Sequence, residues 1–198
     1  MPHSIEKIKS TLIGGGARPN LFQVDLTSFP GSGDNGYSSD NFSILCKAAQ
    51  LPASNVASID VPFRGRIFKV AGDRTFDPWT ITIINDVDFT IRTAFERWMN
   101  LINKHEDNAG ITNPADYQQD MYVKQLGRAQ VGGVQPQSDP QLPVLKQYRF
   151  YGSFPTNVSD IALSYDSSDT IEEFSVTMEV QWSEALNSDG TTQLGTGV

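Results

Sequence analysis

The chain has 198 residues, with 15 basic and 23 acidic side chains and a formal net charge of −8 at pH 7. This length is enough for one substantial hydrophobic core, so we expect one principal domain. The negative charge repels polyanions, which argues against a protein that holds or reads nucleic acid but not against one that lets nucleic acid pass.

The chain begins with a predicted helix and two predicted strands. Apolar residues at helical spacing over 4–12 predict a short helix, which three glycines would end, so residues 1–16 are expected to form an N-terminal arm with a glycine linker. Apolar and polar residues alternate over 20–26 and predict a half-buried strand. A second strand is predicted over 42–48, after a connection rich in Gly, Ser, Asp and Asn.

A hairpin and a buried strand come next. Two extended runs, 56–63 and 67–70, flank Arg64-Gly65-Arg66 and predict a β-hairpin. We interpret Gly72 and Asp73 as a further turn. The segment WTITII, residues 79–84, is rich in β-branched residues and predicts a strand with a buried face.

One long helix is predicted over 87–104. Its apolar residues recur every three or four positions from Val87 to Ile102 and form a single stripe that would cover one face of a sheet. Asp86 is the predicted N-cap, and Asp88 is favourably placed in the first turn.

The following segment predicts two more strands, over 121–129 and 144–154. A loop rich in Gly, Gln and Pro, residues 130–143, separates them. The sequence FPTNV, residues 154–158, is interpreted as a turn.

The C-terminal segment ends in a long predicted strand. A short strand over 161–165 and a DSSD turn precede it. Residues 171–182 then alternate, which places Phe174 and the apolar residues that follow it on a buried face and the polar residues on a wet face. The remaining residues are small and polar, so 184–198 are expected to form a flexible C-terminal tail.

These elements predict an α+β fold that is mainly antiparallel β, a two-sheet sandwich or barrel-like subunit with one main flanking helix. The principal domain would extend over residues 17–183. Its strand edges must be protected or paired.

The stretch VAGDRTFDPWTITIIND, residues 70–86, resembles a catalytic loop in composition. The stretch contains four charged residues that could act as acid and base or bind a metal. These are Asp73, Arg74, Asp77 and Asp86. One short stretch that runs into a strand directs such side chains to alternating faces, whereas catalysis needs them to converge. We favour a structural interpretation, with an enzyme as the alternative.

The cysteine and the two histidines give no reason to predict a catalytic residue, a cofactor or a metal site. Cys46 is interpreted as a small core residue, because its one basic neighbour, Lys47, points to the opposite face of the strand. His3 and His105 lie far apart and lack metal-ligand spacing.

The chain shows no secretion or membrane signal. A single cysteine cannot form an internal disulfide, and the first ten residues lack the pattern of a secretory signal, so we expect assembly in a reducing cytoplasm. No apolar run approaches the roughly 20 residues that a membrane helix needs, so no membrane anchor is expected.

Several segments together resemble the tail tube proteins of T-even-type contractile-tailed bacteriophages. They occur in the order typical of that family, they cover about residues 17–182, and AGDRTFD-x-W is the most distinctive of them. The matching segments are ARPNLFQV, CKA, LPA, VAGDRTFDPWTITIIND, PADY, FPTNV and IEEFSVT, together with Phe95, Trp98 and Trp182.

The resemblance implies a hexameric ring whose inner strands join into one β-barrel. Such rings stack into a hollow tube that delivers viral DNA into the host during contractile tail ejection, and the type VI secretion tube is a related architecture. The implied partners are other copies of the chain, the tail sheath, baseplate and tail-terminator proteins. The tape measure protein and genomic DNA would pass inside without specific binding. The implied location is the virion tail, after assembly in the host cytoplasm.

Two questions remain open within this resemblance. A baseplate tube-initiating or tail-completion protein of the same fold is an alternative to the tube subunit itself. The segments 28–41 and 130–143 and the sixteen residues after Trp182 also exceed the family pattern, so the sheath-facing surface is not assigned.

Two sets of assembly residues are predicted within this framework. Ring-to-ring contacts are expected at the hairpin and near its end, at Arg64, Gly65, Arg66, Asp73 and Arg74. Lumen-facing positions are expected on the wet face of the closing strand, where carboxylates would repel phosphates; these are Glu173, Glu179 and Gln181.

Overall fold

The computed structural model describes residues 5–12, 16–31, 39–128 and 142–192. Within these ranges the chain forms four helices and nine strands. In chain order they are α1 (Ile5–Thr11), β1 (Phe22–Leu26), α2 (Ser39–Leu45), β2 (Cys46–Ala49), β3 (Asn55–Phe63), β4 (Arg66–Thr75), β5 (Trp79–Ile84), α3 (Thr90–Ile102), α4 (Pro114–Tyr117), β6 (Gln119–Leu126), β7 (Val144–Val158), β8 (Glu173–Glu179) and β9 (Trp182–Leu186).

Seven strands form one antiparallel sheet in the order β1-β6-β7-β8-β5-β2, and β9 also pairs with β7. The long strand β7 turns a corner near Gly152, where φ is 58°. Before the corner it pairs with β6 and β9, and after it residues 154–158 pair with β8. The corner therefore divides the sheet into a first half-sheet (β1, β6, β9 and the start of β7) and a second half-sheet (β2, β5, β8 and residues 154–158).

The two half-sheets enclose one core between them. Alternating residues of each strand point inward, and each fully buried aliphatic or aromatic side chain contributes about 1.5–3 kcal/mol. Trp79 of the second half-sheet stacks on Phe150 of the first, with ring centroids 4.4 Å apart. The inward residues include Val24, Leu26, Met121 and Val123 of the first half-sheet and Ile81, Ile83, Phe174, Val176 and Met178 of the second. The predicted two-sheet, mainly antiparallel fold is confirmed.

Helix α3 packs its apolar stripe onto an aromatic cluster. Phe95 and Trp98 are fully buried, and the ring of Phe29 lies 4.8 Å from that of Phe95 and 5.8 Å from that of Trp98. The indole Nε1 of Trp98 donates to the carbonyl of Tyr117 at 2.7 Å. The predicted covering helix is thus confirmed, and its one buried polar group is satisfied.

The helix is shorter than predicted. It begins at Thr90, because Phe89 adopts a left-handed conformation with φ of 53° and no side chain caps it at that position. Val87, predicted to belong to the apolar stripe, is exposed. Asp86 is not the N-cap residue itself, but its carboxylate accepts from the backbone N–H of Thr90 at 2.9 Å and so still satisfies one end group of the helix.

The predicted strand over 42–48 is wrong for its first half. Residues up to Leu45 belong to α2, and only Cys46 begins β2. Phe42 and Cys46, four positions apart, are both buried. Residues four positions apart lie on one face both in a helix and in a strand, so the burial of these two side chains is consistent with either structure.

Three predicted turns or strands near the hairpin and the C-terminus are also corrected. Gly72 and Asp73 do not form a turn but continue β4, as a bulge opposite Ala57 where the register shifts. The FPTNV segment continues β7, with a register shift at Pro155. Residues 161–165 form no strand.

The closing strand is interrupted and then continues. β8 ends at Glu179, and the chain bends at Gln181 before Trp182–Leu186 pair with β7 as β9. The predicted flexible tail over 184–198 is therefore wrong for residues 184–186, which belong to β9.

The other predicted elements are confirmed, with some of their first and last residues shifted. They are the helix over 4–12, the strand over 20–26, the hairpin, the strand over 79–84 and the strands beginning near 121 and 144. Other predictions concern segments that lie outside the described residues. These are His3, the glycines at 14 and 15, residues 32–38 and 129–141 of the two long connections, and residues 193–198 of the tail.

Replacement of Asp86 by Ala should lower the free energy of unfolding of the unassembled subunit by about 1 kcal/mol, since the first turn of α3 loses its acceptor. Urea unfolding measures the change. Asp88→Ala is the matched control and should change stability by less than about 0.5 kcal/mol. Equal losses in the two variants would contradict the role of Asp86.

Candidate assembly surfaces

Strands β3 and β4 form a separate two-stranded ribbon. Phe63 pairs with Arg66 and Val61 with Phe68, and the register is regular as far as Ser58. The connecting residues Arg64 and Gly65 both have positive φ, 46° and 82°, as a tight two-residue hairpin turn requires. None of the residues of either strand is buried, so the ribbon projects from the sandwich.

One face of the ribbon is apolar, and we call it the apolar ribbon face. Residues that pair across the ribbon share a face, which brings five large apolar side chains together, each between 41 and 66% exposed. They are Ile59, Val61, Phe63, Phe68 and Val70. Their exposed surface is on the order of 500 Å², which reaches the size of the largest patch on a typical monomer.

The opposite face of the ribbon is more polar. Lys69 Nζ donates to Asp60 Oδ1 at 2.8 Å, and Ser58 lies on the same face. Its apolar members are Pro62, Ile67 and Ala71. The ribbon is therefore amphipathic, and its apolar face has no partner within the described part of the chain.

The predicted ring-contact residues fall into two groups. Arg64, Gly65 and Arg66 lie together at the ribbon tip, where the Arg64 guanidinium is 5.3 Å from the ring centre of Phe63. Asp73 and Arg74 lie near the ribbon base, about 25 Å away along β4. The structure does not bring the two groups together.

The outer face of the second half-sheet forms a second surface, the polar wall. Hydroxyl groups pair across it, Thr80 with Thr177 and Thr82 with Ser175, each at 3.4 Å. Its acidic members, Glu173 and Glu179, lie at opposite ends of β8. The wall therefore combines small hydroxyl side chains with one carboxylate at each end of β8.

The predicted lumen residues differ in their surroundings. Glu173 forms an ion pair with Lys47, whereas no ion pair is recorded for Glu179 among the described residues. Gln181 is exposed and lies beyond the end of β8, where its backbone N–H donates to the carbonyl of Tyr151 at 3.1 Å. Only the two glutamates therefore belong to the strand itself.

The second half-sheet has two edges without a strand partner among the described residues. One is β2, which pairs only with β5, and the other is residues 154–158 of β7, which pair only with β8. Unpaired edges present backbone N–H and C=O groups that can accept a strand from another chain.

The aspartates of the 70–86 stretch do not converge. Asp73 lies in β4, Asp77 accepts from Asn55 Nδ2 at 2.5 Å in the following loop, and Asp86 precedes α3. Within the described residues, no three His, Cys, Asp or Glu side chains are grouped so that they could hold a metal ion. The arrangement offers no acid–base pair to a substrate.

Cys46 is a core residue, as predicted. Burial raises the pKa of its thiol from 9.0 to about 12, against a smaller opposing effect of the Ala48 backbone contact. The folded protein therefore favours the neutral thiol. The stability gained from its burial is complete below about pH 9 and is lost as the pH rises towards 12. The other described candidate, His105, lies just beyond the end of α3.

Trp182 departs from the prediction that the apolar residues of 171–182 lie on a buried face. Trp182 is 42% exposed and stacks on Tyr151, with ring centroids 3.7 Å apart. The guanidinium of Arg149 lies 4.2 Å from the ring centre of Tyr151. The alternation of β8, continued to Trp182, predicts that the indole faces the core. The chain bends at Gln181, which the sequence pattern does not reveal, and the indole is therefore partly exposed.

The profile of the phage tail tube protein family matches residues 17–183. The chain belongs to this family. It is 35% identical over 171 residues to tail tube protein gp19 of Enterobacteria phage T4, an alignment that covers 86% of this chain and 93% of the relative. It is 26% identical to the tail tube protein of Serratia phage KSP90, covering 88% of this chain and 90% of the relative.

Solved structures share the fold at low sequence identity. The anti-feeding prophage baseplate contains a chain with a TM-score of 0.57 and 11% identity, covering 87% of this chain and 97% of that one. A chain of the anti-feeding prophage tube terminating cap has a TM-score of 0.56 and 16% identity, and the match covers 87% of this chain and 91% of that one. A chain of the sheath-tube complex of an extracellular contractile injection system has a TM-score of 0.52 and 13% identity, and the match covers 94% of this chain and 99% of that one.

The family assignment confirms the resemblance drawn from the sequence. The chain is a tail tube protein of contractile phage tails and a structural component of the virion. Its curated relatives are structural tube proteins. None of the helices in the described ranges is long and apolar enough to cross a lipid bilayer.

Native protein should leave Cys46 almost unlabelled by a thiol reagent at pH 8, because the buried neutral thiol is a poor nucleophile. Labelling per chain, measured by absorbance, should rise to about one thiol in denaturant. Ile44→Cys is the control, since its position is exposed two residues away, and it should add about one fast thiol in the native state. Fast labelling of the unaltered native protein would contradict the assignment of Cys46 to the core.

Proposed function

We propose that six copies of this chain close into a ring and that rings stack into a hollow tube, which conducts viral DNA during tail contraction. The observation that carries this proposal is the amphipathic ribbon. A soluble monomer gains nothing from projecting five large apolar side chains on one face, whereas a subunit that assembles through that face buries them.

Edge pairing can supply the contact around the ring. The free edge of β2 in one subunit can accept residues 154–158 of its neighbour, so that the second half-sheets become continuous. Each subunit would contribute four strands, and six subunits would give on the order of 24 strands. Barrels of 16–18 strands already enclose an aqueous channel. Closure would also remove both exposed edges.

The polar wall would then line the lumen. The hydroxyl groups are neutral, Lys47 is held in an ion pair with Glu173, and the carboxylate of Glu179 repels phosphate. Gln181 would extend this lining beyond β8. DNA and the tape measure protein would pass along such a surface without specific binding.

The remaining partners follow from the tube itself. We propose that the outer surface meets the tail sheath, that the baseplate nucleates the first ring and that a terminator closes the last. Subunits would assemble in the host cytoplasm and function in the virion tail without a membrane anchor, a cofactor or catalysis. A tube-initiating or tail-completion protein would share the subunit fold but form a single terminal ring, so the length of self-assembled tubes separates the two roles.

Phe68→Ser should weaken stacking, since it places a hydroxyl in the centre of the apolar ribbon face. Ile67→Ser is a matched control, because Ile67 is 64% exposed against 66% for Phe68 but lies on the opposite face. We expect the critical concentration for tube formation, measured by sedimentation and electron microscopy, to rise at least about tenfold for Phe68→Ser only. Equal effects of the two changes would count against the apolar ribbon face as a contact surface.

Glu173→Lys with Glu179→Lys should make the lumen retain DNA, because ammonium groups bind phosphate where carboxylates repel it. Ejection from assembled virions, followed by release of a DNA-bound dye, should slow at least about threefold at low salt and recover at high salt. Glu106→Lys with Asp107→Lys, in the loop after α3, makes the same change of charge away from the wall. Ejection at the unaltered rate from variant tubes would refute a lumenal position for the two glutamates.

A further inference from the structure

The end of the sandwich opposite the ribbon carries a second set of exposed apolar side chains. Strand β5 runs from Trp79 to Ile84, and the antiparallel β8 begins opposite Ile84 at Glu173. The ribbon returns to the body just before Trp79, whose Nε1 donates to the carbonyl of Gln50 at 2.7 Å. The segments that follow β5 and precede β8 therefore lie at the other end, which we call the distal end (residues 85–89 and 159–172).

The two segments of the distal end are joined to each other and to the body. The backbone N–H of Asn85 donates to the carbonyl of Glu172 at 2.9 Å, and its side-chain Nδ2 donates to Glu172 Oε2 at 3.0 Å. Arg92 of α3 donates to the carbonyl of Ser159 at 3.1 Å. The distal end is therefore one surface, although its segments are 70 residues apart in sequence.

This surface exposes apolar side chains that nothing in the described part of the chain covers. Val87, Leu163 and Ile171 are 96, 80 and 71% exposed. Phe89 and Tyr165 are also exposed. Exposed apolar side chains concentrated at one end of a subunit favour an interaction surface there.

The charges of the distal end and of the ribbon are complementary. Residues 85–89 and 159–172 contain six acidic residues and no basic residue. The ribbon, residues 55–75, contains four basic and two acidic residues, in a chain whose net charge is −8. The basic residues at the tip are Arg64 and Arg66, and the acidic residues of the distal end include Asp166 and Asp169.

We propose that the apolar ribbon face of each subunit packs on the distal end of a subunit in the next ring, with the arginines of the tip against its carboxylates. This inference rests on the proposed stacking of rings and names the surface that receives the ribbon. The occupant is a second copy of this chain, because both surfaces are apolar, oppositely charged and present on every subunit.

The ribbon and the distal end lie at opposite ends of the subunit, and this arrangement determines how subunits repeat along a stack. A surface that pairs with its own copy closes into a dimer, whereas two different surfaces at opposite ends repeat head to tail. The apolar ribbon face buries on the order of 500 Å² on its own side of the contact, and a stable interface buries about 800 Å² per partner. Several such contacts in each ring would therefore hold a stack together.

Paired charge reversals test the contact. Arg64→Asp with Arg66→Asp reverses the tip, Asp166→Lys with Asp169→Lys reverses the distal end, and a third variant carries all four changes. Each pair alone should raise the critical concentration for tubes at least about tenfold at low salt, while rings still form. The four changes together should restore stacking to within about threefold of the unaltered protein, because the attraction is rebuilt with opposite sign.

The control is Glu106→Lys with Asp107→Lys, which makes the same change of charge outside the distal end and should leave tubes intact. Loss of stacking in this control equal to that in the distal-end variant would overturn the inference, as would normal tubes after reversal of the distal end. Failure of the combined variant to recover would show that the two surfaces do not meet.

The failure of the proposed function gives a different result. If the unaltered protein forms neither rings nor tubes, the assembly proposal itself is wrong. If reversal of the tip abolishes stacking but reversal of the distal end does not, the tube proposal stands and only the receiving surface is misassigned.

Discussion

Both halves of the sandwich depend on the corner that β7 turns at Gly152. A side chain there would be strained, because φ is positive and an added Cβ would lie 2.8 Å from Gln181 Cγ, which would have to shift. Asp120 holds the corner from the neighbouring strand, since it accepts from the backbone N–H of Gly152 at 3.2 Å and pairs with Arg149. At this corner β9 stops pairing with β7, so residues 154–158 keep one free edge. The bend that closes the core therefore also opens an edge for a neighbouring subunit.

The chain divides its apolar residues between two uses. Those of the sandwich fill a core in which nearly every strand contributes alternate residues, and that core holds the subunit together alone. Those of the ribbon and the distal end stay in water until another copy covers them. Because the ribbon adds nothing to the core, a change such as Phe68→Ser leaves the folding of the body intact and acts on assembly alone.

The sequence predicts elements well where one periodicity holds along a segment, as in WTITII and in the stripe of α3. It misleads where tertiary contacts decide between two patterns. Phe42 satisfies either a helix or a strand, and the segment FPTNV contains a proline that a bulge accommodates inside β7. The ribbon tip and the glutamates of β8 can be selected from the sequence. The apolar ribbon face and the distal end cannot, because the first depends on cross-strand register and the second joins segments 70 residues apart.

Charge distribution explains why the two surfaces would be opposite in sign. Subunits of net charge −8 repel one another as whole bodies, which opposes aggregation before assembly. At physiological ionic strength this repulsion is screened beyond about 8 Å, so contact surfaces alone decide which ends meet. A basic ribbon is repelled by the ribbon of another copy and attracted by an acidic distal end. Apolar burial would then provide the affinity, and the local charges would restrict stacking to one direction.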